Sequence, residues 1–459
     1  MPGKTASLSG TTREEGVRIR ITITTAGSRG DVQPCVALGL GLKKAGYLVT
    51  VATWAPFRKL VEDSGILFHP VAGPDPDRLV AALVEAGSKP WKYARRFRSL
   101  LRPHMTQGFH DCLAACRNAD AIVYTPLGFT GHMVAEHLRI PAVGAVVEPL
   151  FVRTGRYPSA MLGRPPGGSA LIEPPGPGRL YNHLTHRAVE QLYWRTVQPL
   201  VRDLRGEVGL PPIPSLLGPL GGIHREHSPL LLGWSRHVVP VSPEREAWMR
   251  TTGYWFLDQT NWRPPVELRG FLNAGEPPVS LGLGSMSGIA SVLTGRIFDL
   301  TVRALEHAGK RGILLGSDGG QAGLPNSTIN IAGGVPYGWL FRRVAVAVHH
   351  GGAGTTAEAL RAGAPSVVIP LGPDQAFWGS RVAALGAGPS PIPPRRLTAE
   401  RLASAILRAA NDAEMRKRCR ELGEKISAED GVSKAVEALQ DHVGKRGVSQ
   451  TQEPRDEPR

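Results

Sequence analysis

One repeated pattern most strongly restricts how this chain can fold. It consists of a short apolar strand, a turn that contains glycines, and a helix. Residues 18–24 alternate β-branched and polar side chains, as a strand does, and residues 26–31 form a turn with two glycines. Residues 32–45 have a helical pattern, with Pro34 tolerated in the first turn. Residues 47–52 are again an apolar strand. A strand, a helix and a second strand in this order predict a parallel sheet.

The same alternation restarts in the second half of the chain. Residues 278–284 are predicted to form a strand that ends in a glycine turn, and further strands are expected at residues 311–315, 344–348 and 366–369. We therefore predict an α/β protein with two Rossmann-like, doubly wound domains that face each other across a cleft. In such open sheets, ligands bind where the carboxyl ends of the strands meet.

Four segments follow from these patterns and from the polar ends of the chain. We expect a disordered arm at residues 1–17, an N-terminal domain at 18–240, a C-terminal domain with terminal helices at 241–443, and a disordered tail at 444–459.

The composition is that of a globular protein in a reducing compartment. Of the 459 residues, 42% are hydrophobic and 20% are charged, and no apolar run approaches the roughly 18 residues of a membrane-spanning helix. The first residues lack the apolar core of a signal peptide, and only four cysteines are present. These features predict a cytoplasmic location. The net charge is +15, but the basic residues are interspersed with 39 acidic residues. Because the sequence also lacks a nucleic-acid-binding motif, we expect no nucleic acid partner.

The most specific local signal is His349-His-Gly-Gly-Ala-Gly-Thr-Thr-Ala-Glu358. An apolar strand leads directly into glycines and then into a helix, so backbone amides and the positive helix end can hold a phosphate group. The glycine spacing differs from a Walker loop and from a dinucleotide fingerprint. The alternative interpretation is a tight turn between strand and helix without a ligand. Two histidines beside the turn favour the phosphate site.

This segment resembles the nucleotide-sugar signature of family 1 glycosyltransferases, in the branch of the sterol glucosyltransferases and the macrolide and glycopeptide antibiotic glycosyltransferases. Further matching segments follow in the same order as in the family: Gly27-Ser-Arg-Gly-Asp-Val-Gln-Pro34, Thr252-Gly-Tyr-Trp-Phe-Leu-Asp258, Pro277-Pro-Val-Ser-Leu-Gly-Leu-Gly-Ser-Met286, Val335-Pro-Tyr-Gly-Trp-Leu-Phe341 and Pro370-Leu-Gly-Pro-Asp-Gln-Ala-Phe-Trp-Gly379. The resemblance implies the glycosyltransferase B fold, with the acceptor in the N-terminal domain and the nucleotide sugar in the C-terminal domain.

The resemblance also assigns donor-binding residues by position. The expected contacts are His350 with the donor α-phosphate, Gly352, Gly354 and Thr355 with the diphosphate, Glu358 with the ribose, Ser285 with a phosphate, Val335 with the base through its backbone, and Asp374 and Gln375 with the sugar hydroxyls. One departure is visible, because relatives commonly have His-Asp where this chain has Tyr337-Gly338.

Asp31 is the predicted catalytic base. An inverting transfer needs a group that accepts the proton of the acceptor hydroxyl while the anomeric carbon is attacked, and this branch of the family has an aspartate at the matching position. The alternative is that Asp31 only caps the helix that follows it. Burial in a closed cleft would restore the basicity that a helix N-terminus removes.

Together these features predict an inverting, metal-independent hexosyltransferase. It would use a UDP- or dTDP-sugar as co-substrate, without a cofactor, and a lipophilic acceptor such as a sterol, a macrolide or another secondary metabolite. The alternatives are a catalytically silent activator of a partner transferase and a nicotinamide oxidoreductase, which the glycine spacing disfavours. Asp75-Pro-Asp77 imitates a metal motif, but the surrounding prolines and glycine favour a turn.

A basic segment suggests weak peripheral contact with a membrane. Residues 91–102 interleave Trp91, Phe97 and Leu101 with one lysine and four arginines. A basic amphipathic helix of this kind can lie on an anionic bilayer. The alternative, which we favour, is a surface helix whose apolar side packs on the domain core.

Overall fold

A computed structural model describes residues 18–86, 90–159, 161, 176–213, 229–240, 248–284, 292–316, 323–332 and 334–450. The predicted arm at 1–17 lies outside these residues, as does the last part of the predicted tail, 451–459.

The first sheet has seven parallel strands. In chain order these are β1 (Arg20–Thr24), β2 (Leu48–Trp54), β3 (Leu67–Val71), β4 (Ala121–Tyr124), β5 (Ala142–Val146), β6 (Leu230–Leu232) and β7 (Met249–Thr251). Their order in the sheet is β3-β2-β1-β4-β5-β6-β7. The helices of this half are α1 (Arg29–Lys44), α2 (Arg58–Glu62), α3 (Pro76–Ala86), α4 (Pro90–Leu101), α5 (Met105–Cys116), α6 (Thr130–Leu138) and α7 (Pro177–Glu207).

The second sheet has five parallel strands in the order β10-β9-β8-β11-β12. The strands are β8 (Val279–Gly282), β9 (Gly312–Gly316), β10 (Thr328–Ala332), β11 (Val346–His349) and β12 (Ser366–Val368). The helices are α8 (Val266–Asn273), α9 (Val292–Ala308), α10 (Tyr337–Leu340), α11 (Ala353–Arg361), α12 (Pro373–Ala384), α13 (Ala399–Asn411), α14 (Ala413–Ser427) and α15 (Gly431–Gln450). Two parallel sheets confirm the predicted fold class.

The central strand β1 is buried on both faces, although its sequence alternates isoleucine and threonine. Thr22 donates to the carbonyl of Ala115 at 3.2 Å, and Thr24 donates to the carbonyl of Gly128 at 3.2 Å. These bonds satisfy the hydroxyls inside the protein, so the alternation does not mark a solvent-facing side. A strand covered on both faces is typical of parallel sheets.

Two features depart from the expected segment boundaries. Strand β7 lies beyond residue 240, yet it pairs with β6 in the first sheet. Helix α15 continues to Gln450, into the segment expected to be a disordered tail, and it packs against α1 of the first domain. Ala435, Val436 and Leu439 are buried in the core of the first domain, which explains why α15 packs on that domain.

Helix α4 turns its central aromatic side chain toward the protein. Phe97 is 3% exposed and lies 6.4 Å from the ring of Tyr193 on α7, and Leu101 packs on the same core. Arg95, Arg96 and Arg98 are exposed. This agrees with the alternative in which the apolar side of the helix faces the domain core. The side chain of Trp91 lies outside the described residues. Within the described part of the chain, no helix has the length and hydropathy needed to cross a bilayer.

Candidate active site

The carboxyl ends of strands from both sheets open into one cavity of about 1590 Å³. The turns that follow β1, β5, β8, β11 and β12 all line it. Of the predicted site residues, those that line the cavity are Asp31, Val335, His350, Gly352, Gly354, Thr355, Glu358, Asp374 and Gln375. Ser285 lies outside the described residues. Residues from the two halves of the chain are thus brought to one site.

Asp31 lies in the first turn of α1, not before the helix. The helix begins at Arg29, earlier than the predicted residue 32, because Ser28 serves as its N-cap. The Asp31 carboxylate accepts hydrogen bonds from the Ser28 backbone N–H at 2.8 Å and from the Ser28 hydroxyl at 3.0 Å. Gly27 makes this approach feasible, since a Cβ there would lie 2.5 Å from Asp31 Oδ2, and its φ is +122°. Asp31 therefore closes a capping box and also faces the cavity.

The pKa of Asp31 is raised from 3.8 to about 6. Burial, which penalises the charged form, is the main cause; the hydrogen bonds from Ser28 lower the pKa, and the negative charge of Asp374 raises it. A carboxylate with this pKa is ionised at neutral pH and is a stronger base than an exposed aspartate.

Two other carboxyl groups of the cavity, those of Asp374 and Glu148, interact electrostatically with Asp31. Burial raises the pKa of Asp374, which lies in the first turn of α12. Burial also raises the pKa of Glu148 well above 4.5, and the charges of Asp374 and Asp31 raise it further. Burial and both neighbouring charges thus favour the protonated form of Glu148.

His350 lies at the end of β11, inside a space that two glycines leave open. A Cβ at Gly284 would lie 2.7 Å from the His350 ring, and one at Gly352 would lie 2.4 Å from its Nε2. Burial lowers the pKa of His350 to about 4, so the imidazole is neutral at pH 7. A histidine can donate a hydrogen bond either as the neutral imidazole or as the imidazolium, and the lowered pKa favours the neutral imidazole.

The neighbouring His349 stabilises the turn through a hydrogen bond. Its Nδ1 accepts a hydrogen bond from the Gly351 N–H at 3.1 Å, and burial lowers its pKa to about 3. Gly351 has a φ of +90°, and a Cβ there would lie 2.8 Å from the carbonyl oxygen of Gln375. A Cβ at Gly354, by contrast, would meet no protein atom within 4 Å. Contacts within the protein thus explain why residue 351 is a glycine, but they do not explain the glycine at 354. The close approach of a ligand would account for Gly354.

Glu358 is held by an ion-pair network at the edge of the cavity. Its Oε2 accepts from Arg361 Nη2 at 2.8 Å and from Arg361 Nε at 3.1 Å. Arg361 in turn donates to both oxygens of Asp258, at 2.6 and 3.1 Å, and lies 3.8 Å from the ring centre of Phe256. Neither bond to Glu358 uses Oε1. Burial still raises the pKa of Glu358, although the Arg361 charge opposes this.

Gln375 supports the loop before α12. Its Oε1 accepts hydrogen bonds from the backbone N–H groups of Leu371 at 2.7 Å and Gly372 at 3.1 Å. This fixes the amide group at the entrance of the helix that carries Asp374. Asp75, by contrast, is not among the residues that line the cavity; its Oδ1 accepts hydrogen bonds from the N–H groups of Asp77 and Arg78 at the start of α3, as in the turn that its sequence favours.

The two halves of the chain match two known families. Residues 21–154 match the glycosyltransferase family 28 N-terminal domain, and residues 313–441 match the C-terminal domain of the erythromycin biosynthesis protein CIII-like family. A sterol 3-beta-glucosyltransferase of Cryptococcus neoformans is 33% identical over 449 residues, which are 92% of this chain and 27% of that protein. One of Saccharomyces cerevisiae is 34% identical over 91% of this chain and 34% of its own length.

The chain belongs to the family 1 glycosyltransferases. It spans about a third or less of the length of the two sterol 3-beta-glucosyltransferases that it matches.

Solved structures of glycosyltransferases share the fold of this family 1 member. The glycosyltransferase of kitacinnamycin has a TM-score of 0.69 and 20% identity, and covers 93% of this chain and 99% of its own. The glycosyltransferase VinC in complex with dTDP has a TM-score of 0.62 and 18% identity, over 94% of this chain and all of its own. At these identities the likeness establishes the glycosyltransferase B fold.

The Tyr337-Gly338 departure from the family pattern has a local packing reason. A Cβ at Gly338 would lie 2.7 Å from Arg361 Nη2 and 2.9 Å from Glu358 Oε2. The ring of Tyr337 stacks on Phe341, with ring centres 4.8 Å apart. In this family 1 glycosyltransferase, the glycine therefore makes room for the Arg361 network.

Two residues at the site were not predicted from the sequence. Glu148 follows the apolar strand β5, and its place after a strand that ends at the cleft is a signal that could have identified it. Arg361 had no such signal, because its partner Asp258 lies 103 residues away in the chain.

Proposed function

We propose that this protein transfers a hexose from a UDP- or dTDP-sugar to a hydroxyl group of a lipophilic small molecule, with inversion at the anomeric carbon. The observation that carries the proposal is the position of Asp31, with its raised pKa, across one cavity from His350 and the glycine turn. The names of the sterol 3-beta-glucosyltransferases support a sterol-like acceptor, and the match to an erythromycin biosynthesis family supports a macrolide or other secondary metabolite.

In the proposed reaction, Asp31 accepts the proton of the acceptor hydroxyl. The acceptor oxygen forms a bond to the anomeric carbon, and the bond from that carbon to the diphosphate oxygen breaks. Negative charge then develops on the departing diphosphate, where the N–H of neutral His350 and the amides of the glycine turn stabilise it. The amides and the helix dipole supply this stabilisation, so the proposed step needs no metal ion.

The remaining donor contacts follow the positions in the cavity. We assign Gly352, Gly354 and Thr355 to the diphosphate, Glu358 Oε1 to the ribose, the Val335 backbone to the base, and Asp374 and Gln375 to the sugar hydroxyls. Ser285 keeps its predicted phosphate contact. This puts the donor in the C-terminal domain and the acceptor in the N-terminal domain.

The wall of the cavity contributed by the first domain is largely apolar, which supports a lipophilic acceptor. Its side chains include Leu79, Phe97, Leu127, Val189 and Tyr193. The four cysteines are buried and unpaired, which supports the proposed cytoplasmic location.

The test is a transfer assay with UDP- and dTDP-glucose against sterol, macrolide and aromatic acceptors. Asp31→Asn should lower turnover by about 10²–10⁴-fold, because the base is lost, while UDP or dTDP binding measured by calorimetry stays near that of the wild type. Asp63→Asn, at an exposed surface aspartate, is the matched control. Normal turnover in Asp31→Asn would leave Asp31 as a capping residue only. Nucleotide binding without any transfer would favour the silent activator.

A further inference from the structure

The outer face of α7 carries an unusual row of exposed leucines. Leu180, Leu184 and Leu192 are 62%, 53% and 42% exposed, and exposed Ala188 completes the spacing of four. Residues four apart lie on one side of a helix, so these side chains form a continuous apolar row. We call it the α7 stripe.

Two exposed arginines lie beside the α7 stripe, and no exposed acidic residue lies among them on this part of the helix. Arg187 and Arg195 are exposed and lie three residues after Leu184 and Leu192, on the same side of the helix. Across residues 179–202, all of which the structure describes, the one acidic residue is Glu190, and it is buried against Arg153 at 2.5 Å. The outer face of α7 is therefore both apolar and positively charged.

The opposite face of α7 anchors the helix to the protein. Trp194, Val197, Val201 and Leu204 are each at most 2% exposed and belong to the core of the first domain. The helix thus presents the α7 stripe on a rigid support.

The α7 stripe ends at the mouth of the large cavity. Leu192 lines that cavity while remaining 42% exposed, and Val189 and Thr196 line it beside Leu192. Helix α4 contacts α7 through Phe97 and Tyr193, and it contributes exposed Arg95 and Arg98 next to this region.

We propose that the α7 stripe docks on an anionic lipid bilayer and so holds the cavity mouth against the membrane surface. The leucines enter the boundary between headgroups and acyl chains, and Arg187 and Arg195 contact lipid phosphates. Charge complementarity favours this occupant over a second copy of the chain, because two copies would bring the same arginines together. The role in delivering a lipophilic acceptor rests on the proposed function, whereas the docking itself does not.

Flotation of the full chain with vesicles tests the docking without any turnover. The vesicles are phosphatidylcholine alone, or phosphatidylcholine with phosphatidylglycerol, at low and at high salt. We expect binding only to the anionic vesicles and release at high salt. Arg187→Ser/Arg195→Ser should weaken partitioning by roughly thirtyfold, and Leu180→Ser/Leu184→Ser by about tenfold or more. Matched controls are Lys417→Ser and Val266→Ser, which remove an exposed cation and an exposed apolar side chain elsewhere.

Two results would overturn the proposal. Equal partitioning of the wild type and both stripe variants would remove α7 from any membrane contact. A wild-type dimer in sedimentation velocity that Leu180→Ser/Leu184→Ser converts to monomer would identify the α7 stripe as a self-association surface. Vesicle binding with no glycosyl transfer would support the docking and count against the proposed function, so the two failures are distinguishable.

Discussion

The basicity of Asp31 results from the opposing effects of burial, a neighbouring charge and hydrogen bonds. Burial and the charge of Asp374 raise its pKa, and the two hydrogen bonds from Ser28 lower it, with a result of about 6. The same bonds fix the carboxylate at the start of α1, so one residue both shapes the helix end and presents a base to the cavity.

This balance predicts a pH dependence. Because the proposed base must be ionised, log kcat/KM should rise with pH, bend near pH 6 and level off above it. Ser28→Ala removes a hydrogen bond that favours the charged form, so the bend should move to higher pH. Ser99→Ala, at an exposed serine, should leave it in place. A bend that stays near pH 6 in Ser28→Ala would contradict this account.

Glu148 gives a second prediction at the same scale. Burial and the negative charges of Asp31 and Asp374 raise the pKa of Glu148, so its protonated form is favoured beside them. We expect Glu148→Gln, which resembles the protonated acid in shape and is neutral at every pH, to keep an activity near that of the wild type. Glu148→Ala should be less active than Glu148→Gln across the range, because it cannot hydrogen bond. Equal losses of activity in Glu148→Gln and Glu148→Ala would be evidence against this role.

At the scale of elements, α11 carries both the glycine turn that we propose to bind the diphosphate and the Glu358 carboxylate that we propose to bind the ribose. Gly354, Thr355 and Glu358 lie within its first two turns, and Arg361 at its end ties the helix to Asp258. Arg361 is thus a positioning residue for Glu358, because it touches the carboxylate and not the cavity.

Loss of this tie should affect the donor more than the chemical step. Arg361→Lys keeps the charge but cannot bond Asp258 and Glu358 together in a planar fork, so we expect the donor KM to rise about tenfold with a smaller change in kcat. Asp258→Asn should act in the same direction. Arg401→Lys, at an exposed arginine of α13, is the control. An unchanged donor KM in both variants would show that Glu358 needs no such support.

At the scale of the whole molecule, the chain crosses between the domains twice, and the two crossings lie against each other. Residues 252–254 lead from the first sheet into the second domain, and residues 429–431 lead back to α15. A Cβ at Gly431 would lie 2.4 Å from the Tyr254 carbonyl oxygen and 2.6 Å from the Gly253 carbonyl carbon. The backbones therefore meet without side chains between them.

Gly431→Ala should disturb this junction. The added methyl group requires the backbone to shift, which costs about 1–3 kcal/mol of the free energy of unfolding. Urea denaturation should show a lower midpoint. Gly295→Ala in α9 is the matched control, because a Cβ there meets nothing within 4 Å and alanine favours a helix. Equal midpoints for Gly431→Ala and the wild type would mean that the two crossings can separate freely.

The strand–turn–helix units were predictable from the sequence because short-range patterns encode them, whereas the roles of most site residues followed from the resemblance to family 1 glycosyltransferases. These short-range patterns include the periodicity of apolar residues, the spacing of glycines and the positions at which strands end. They place Asp31 and His350 at the carboxyl edges of parallel sheets. Three features instead depend on contacts between distant residues. They are the ionisation of Asp31 beside Asp374 and Glu148, the Arg361–Asp258 tie, and the return of α15 to the first domain. Electrostatic shifts, ion pairs and apolar burial act through space, so they arise only once folding brings these segments together.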